Sequence, residues 1–233
     1  MLFQSSFLTC LKEEQMKSRF LPALAVAAVG TATAADIPPS VPMSGFARYE
    51  FNKWLFRPCV GSGKKAALTP QGQPIIDATE GGLLFKAIQQ RWQQSADPQR
   101  GIYFEFAGYT ENGRVTATRL QRSLGWVGTC AERPTNIPAE ARLWAAGNEP
   151  SWRFLLDGKG ANLRWVDGEL ALPARPMLEA GGTVAYAADS SAGPVRIEFS
   201  RGLCSDTMAE AAFGYRVVVA AKGAFYTGCG LVR

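Results

Sequence analysis

The chain has 233 residues, with 47% apolar and 19% charged side chains and a net charge of +5. That balance belongs to a folded globular chain and excludes a disordered or integral-membrane composition. Histidine is absent, which excludes Ser-His-Asp and Cys-His hydrolases, His-ligated zinc and every mechanism with an imidazole base.

Residues 1–35 read as an address. Met16-Lys17-Ser18-Arg19 is a short positive start, Phe20 to Val29 is an apolar run broken only by Pro22, and the segment from Gly30 to Ala35 is a small-residue end with an Ala-x-Ala pattern. This is the three-part form of a secretory signal peptide, with cleavage expected after Ala34 and Ala35 as the alternative. Its apolar core is shorter than the roughly 20 residues that span a bilayer as a helix. Residues 1–15, with Lys12, Glu13 and Glu14, read as an extension upstream of a start at Met16. No cysteine follows the cleavage site as a lipid acceptor, and no later run is apolar enough to be a transmembrane segment. The expected location is periplasmic or secreted.

The cysteines agree with export. Past the leader remain Cys59, Cys130, Cys204 and Cys229, an even set that in an oxidising compartment predicts two disulfides. Three pairings are possible. Each half of the mature chain holds one couple, which favours Cys59–Cys130 and Cys204–Cys229. With no Cys-x-x-Cys and no histidine, neither a metal nor a cofactor is expected. The positive excess is mild and spread along the chain, which reads as a solvated surface, with attraction to anionic envelope polymers as the alternative; no nucleic-acid partner is expected.

The fold class predicted is mainly β: two small barrel or sandwich domains, over 44–132 and 139–233, with the break at Arg133–Pro138. The proline-rich segment 36–43 reads as a flexible or edge lead-in. Phe46 to Phe56 is one long or bent strand or a tight pair, and Lys64 to Thr69 is a possible next strand. Around 82–95 the period changes to helical: Leu84, Ile88 and Trp92 recur on one face, widened by Leu83 and Ala87, with Asp77 or Thr79 as cap and Asp97-Pro98 as stop. Ile102–Phe106 and Val115–Leu120 alternate as strands around an Asn112-Gly113 turn. Three strands, a helix and two strands is the chain order of an oligonucleotide/oligosaccharide-binding-type (OB-like) barrel; a short sandwich with a helical plug is the alternative.

The second domain reads as all β. Trp152, Phe154 and Leu156 alternate, as do Leu163 with Trp165, Val184 with Tyr186, and Val195 with Ile197 and Phe199. Tyr215–Ala221 and Phe225–Val232 form a last pair joined at Lys222-Gly223. Six or more short strands imply a small barrel or sandwich.

No motif carries a complete catalytic set. Pro58 to Lys65 lacks the first glycine of a phosphate-binding loop. Ser62-Gly-Lys-Lys65 matches Ser-x-x-Lys without its helix turn or companion motifs. Glu149, Asp157, Asp167, Glu169 and Asp206 could supply a carboxylate pair for glycan cleavage. The richest constellation is Gly147-Asn148-Glu149-Pro150-Ser151-Trp152, joined later by Cys204-Ser205-Asp206-Thr207-Met208, Tyr215 and Gly228-Cys229. Asn148, Glu149 and Asp206 suit either a stapled corner that satisfies backbone groups or, with Trp152, a polar ligand site.

These residues resemble an uncharacterised bacterial envelope and lipoprotein family with the pattern G-N-E-P-x-W, C-x-D-x-M, an aromatic residue and G-C. The likeness covers about 143–230, and more loosely the first half, which is similar to an accessory domain of that family. It implies an envelope location and a β-rich fold, and transfers no catalytic residue. The functional expectation is an exported non-enzymatic envelope protein that binds a protein, glycan or small ligand. The alternative is a carboxylate-dependent glycan or peptide hydrolase.

Overall fold

The computed structural model describes residues 38–94, 101–133 and 136–233. The expected signal peptide and the Asp97-Pro98 helix stop lie outside them. The first half holds β1 (Val41–Glu50), β2 (Lys53–Val60), β3 (Ala67–Leu68), β4 (Gln73–Asp77), α1 (Leu83–Gln94), β5 (Ile102–Glu111) and β6 (Arg114–Leu124). The aromatic stretch is thus the tight pair, folded at Phe51-Asn52, where both residues take positive φ. The Lys64–Thr69 strand is reduced to two residues behind a 3-10 turn at Gly63–Lys65.

β1 pairs with β2 and β5, β2 with β4, β4 in parallel with β6, and β6 with β5. These pairings close a five-stranded barrel. Pro42 stands in β1 where only β5 is a neighbour, so its missing N–H faces the unpaired side. The lead-in is therefore edge strand from Val41 onward.

α1 plugs the barrel. Asp77 Oδ1 accepts the Thr79 amide at 2.9 Å, its Oδ2 accepts the Phe85 amide at 2.8 Å, and Thr79 Oγ1 accepts the Leu84 amide at 3.2 Å. Both predicted caps thus act together on otherwise unpaired N–H groups. Leu84, Ala87 and Ile88 pack inside with Phe56, Phe104, Phe106 and Leu120.

The second half holds β7 (Leu143–Asn148), β8 (Ser151–Leu156), β9 (Ala161–Trp165), β10 (Gly168–Leu172), β11 (Leu178–Ala180), β12 (Thr183–Ser190), β13 (Gly193–Asp206), β14 (Ala211–Ala221) and β15 (Ala224–Val232). They form an antiparallel meander in the order β10-β9-β8-β7-β15-β14-β13-β12-β11. Phe154, Tyr186, Ile197, Phe199 and Val217 fill its core. The mainly β class, with one α-helix among the described residues and a closed barrel, is as expected. Among the described residues no helix is long and apolar enough to cross a membrane.

β14 joins the halves. Its first residues, Ala211–Phe213, pair with Leu124–Arg122 of β6, and its later residues pair with β15. Gly214 marks the switch: a Cβ there would lie 2.1 Å from the Leu120 carbonyl oxygen. A third apolar cluster lies between the two cores and draws on both halves, with Phe46, Tyr103 and Leu124 from the barrel and Trp144, Phe213 and Leu231 from the meander.

The outer face of β5 and β6 also carries a buried ion pair. Arg122 Nε and Nη2 donate to Glu105 Oε2 and Oε1 at 2.8 and 2.9 Å, and the Tyr103 hydroxyl donates to Oε1 at 2.9 Å. The segment after β6 crosses this face and is pinned to it. Arg122 Nη1 donates to Asn136 Oδ1, and Arg133 donates to Ser44 Oγ and the Gly61 carbonyl. The Cys59–Cys130 disulfide fastens the same segment to β2, while Cys204–Cys229 ties β13 to β15. Both couples are the favoured ones.

Candidate functional site

The turn between β13 and β14 is organised by Asp206. Its Oδ1 accepts the Met208 and Ala209 amides at 3.0 and 3.1 Å, a side-chain-closed turn that aspartate favours. The same oxygen accepts Asn148 Nδ2 at 3.1 Å, so the β7–β8 turn is locked to the β13–β14 turn. Trp152 follows two residues into β8 and is buried, with Nε1 donating to the Thr227 carbonyl at 3.3 Å.

The indole needs glycine on both sides. A Cβ on Gly147 would lie 2.3 Å from Trp152 Nε1, and one on Gly228 would lie 2.8 Å from its Cζ2 and 2.1 Å from the Ala146 carbonyl oxygen. The structure thus brings Asn148, Trp152 and Asp206 to one corner beside the Cys204–Cys229 bond. Glu149 is exposed in the β7–β8 turn, and its side chain makes no hydrogen bond to a described residue.

Asp206 also borders a cavity of about 550 Å³, bounded by α1, the start of β5, the loop after β6 and the β13–β14 turn. One wall is the end of α1 with Gln90, Arg91 and Gln94; another is Trp126 in the loop Gly125–Gly128; the third is Ser205, Asp206 and Glu210. Gln90 Nε2 donates to Ser205 Oγ at 2.8 Å, and the Gly125 amide donates to the Glu210 carbonyl at 3.0 Å. These two bonds hold the barrel wall against the meander wall. Trp126 is 52% exposed. Arg91 is 8% exposed, and burial lowers the guanidinium pKa against an opposing influence of Glu210.

The sequence reading picks out Asp206 but not Arg91, Trp126 or Glu210. Two signals for them are present. Arg91 stands seven residues after Leu84, on the apolar stripe where a charge is out of place. Trp126 stands in a short glycine-flanked loop, where nothing local requires an indole.

Among the described residues no group of three or more Cys, Asp or Glu is arranged to hold a metal ion. The sequence matches no family model, no curated protein and no solved structure.

Proposed function

We propose that the protein is an exported, disulfide-stapled binding protein of the bacterial envelope, and that it holds a glycan in the cleft between α1 and the β13–β14 turn. The observation that carries this reading is the cleft itself. It is walled by both halves of the molecule and sets a half-exposed indole among amide, hydroxyl and carboxylate groups. Such a mixture of one flat apolar face and several polar groups that fix orientation is typical of small-ligand sites.

Three further features support the reading. The closed barrel order β1-β2-β4-β6-β5-β1, with a parallel closing pair and the helix between β4 and β5, supports the OB-like reading, and OB-type barrels serve oligosaccharide and oligonucleotide binding. Two disulfides suit an oxidising compartment, in line with the signal-peptide pattern at 16–35 and a periplasmic or secreted destination. The Gly147–Trp152 and Cys204–Met208 motifs, which resemble those of a bacterial envelope family, are in keeping with that destination.

Calorimetric titration of the purified protein with a soluble digest of cell-wall glycan tests the proposal. Saturable heat is expected, lost in Trp126→Ala with an unchanged Tm; equal heats from the two proteins would overturn it. The hydrolase alternative has one point of support, Asp206 and Glu210 bordering the same cleft. Release of reducing ends by the parent protein, abolished in Glu210→Gln at unchanged Tm, would establish that alternative instead.

A further inference from the structure

We propose that the ligand of this cleft is a saccharide bearing a carboxylate, whose acid group is received by Arg91 while a sugar ring lies against Trp126. This rests on the glycan reading above and adds the chemical class.

The argument starts from the cost of Arg91. α1 buries Leu84, Ala87 and Ile88, and the helical period carries position 91 onto the same face. A guanidinium there is largely removed from water, which is unfavourable unless it is paired and fully hydrogen-bonded. Among the described residues it is neither: Nη1 donates to Gln94 Oε1 at 3.3 Å, a neutral acceptor, and Nε is buried without a hydrogen-bond partner there. Glu210 acts on it through space, but Arg91 makes no ion pair with a described residue. Buried polar groups in native proteins are nearly always satisfied, and an exception calls for a reason. A planar fork of N–H donors facing a cavity is matched by a planar carboxylate.

The rest of the lining narrows the class. Asp206 and Glu210 border the same space, and two negative groups disfavour a multiply charged anion such as a phosphate ester. They accept hydrogen bonds from hydroxyls, as do the amide oxygens of Gln90 and Gln94. Trp126 presents a flat apolar surface, the counterpart of the C–H face of a pyranose. Among the described lining residues, one cation, several hydroxyl acceptors and one ring platform together describe an acidic sugar. The volume exceeds the needs of a free amino acid, the other small ligand that pairs a carboxylate with donors.

The test is an NMR titration of the purified protein with D-glucuronate, D-glucose and L-alanine, following the backbone amides of Gly125 and Gly128, which line the cleft in parent and variants alike. Glucuronate is expected to bind at least tenfold more tightly than either of the others. Trp126→Ala and Arg91→Lys are each expected to weaken it by tenfold or more; the lysine keeps the charge and loses the fork. Should Arg91→Lys lose its fold, Trp126→Ala, at a half-exposed position, carries the test with the three probes. Equal affinity for glucose and glucuronate would sink the acid specificity and leave the glycan reading standing. Equal affinity for L-alanine, or no response to glucuronate, would sink the inference outright. The glycan reading is judged separately by the cell-wall digest.

Discussion

Asp206 shows how one side chain can hold a corner. Its Oδ1 serves two backbone amides of its own turn and the Asn148 amide of another. Removing it in Asp206→Ala should cost about 1–2 kcal/mol, as for a lost capping group. A double-mutant cycle with Asn148→Ala should give a coupling of at least roughly 0.5 kcal/mol; strict additivity in urea unfolding would show that the two turns are not joined through this oxygen. Gly228 makes the neighbouring prediction. Its alanine variant drives a methyl to 2.1 Å from the Ala146 carbonyl oxygen, and strain of about 1–3 kcal/mol is expected. Gly158→Ala, where a Cβ meets nothing within 4 Å, is the control that should remain near the parent.

At the scale of elements, the β5–β6 pair carries a group on which pH acts. Burial, followed by the nearby Glu105 carboxylate, raises the Tyr103 phenol above its ordinary value of 10.0. The folded protein therefore keeps this proton at pH values where the unfolded chain has released it. That contribution to stability is complete below the unfolded value and is lost as the pH rises through the folded one. Unfolding free energy should fall above about pH 10, and Tyr103→Phe should flatten the fall; an unchanged slope in the variant would contradict the assignment. The adjoining Glu105–Arg122 pair is buried and doubly bonded. Glu105→Gln removes the negative charge from this buried pair and should cost roughly 3–5 kcal/mol by chemical denaturation.

Element prediction was uneven for a physical reason. Alternating apolar residues in β8 and β13, and the Asn112-Gly113 and Lys222-Gly223 turns, are local signals and read directly. β4 is hidden because Pro74 and Gln73 suppress strand propensity, and its pairing with β2 and β6 supplies what the local residues lack. β7, β10 and β11 escape for a similar reason. β7 is rich in alanine and glycine, and β10 and β11 are short and largely exposed, so none carries a strong two-residue period.

At the scale of the whole molecule, the disulfides close spans of 71 and 25 residues. The chain-entropy model assigns them about 4.4 and 3.5 kcal/mol. Reductant should lower the urea midpoint. The Cys59→Ser/Cys130→Ser and Cys204→Ser/Cys229→Ser double variants should each reproduce part of the loss, and a midpoint indifferent to reductant would refute the stapling.

The β class, the helix near 82–95, the turns and the two cysteine couples were legible in the sequence, because alternation, helical period, turn residues and cysteine count act within a short stretch of chain. The closed barrel, the shared strand β14 and the cleft were decided only in three dimensions. The β6–β14 pairing, the Gln90–Ser205 bond and the convergence of Arg91, Trp126 and Glu210 join residues far apart along the chain. A local hydrophobic pattern states which face of an element is buried; it does not state which distant element will cover that face, and the cleft exists only where those choices meet.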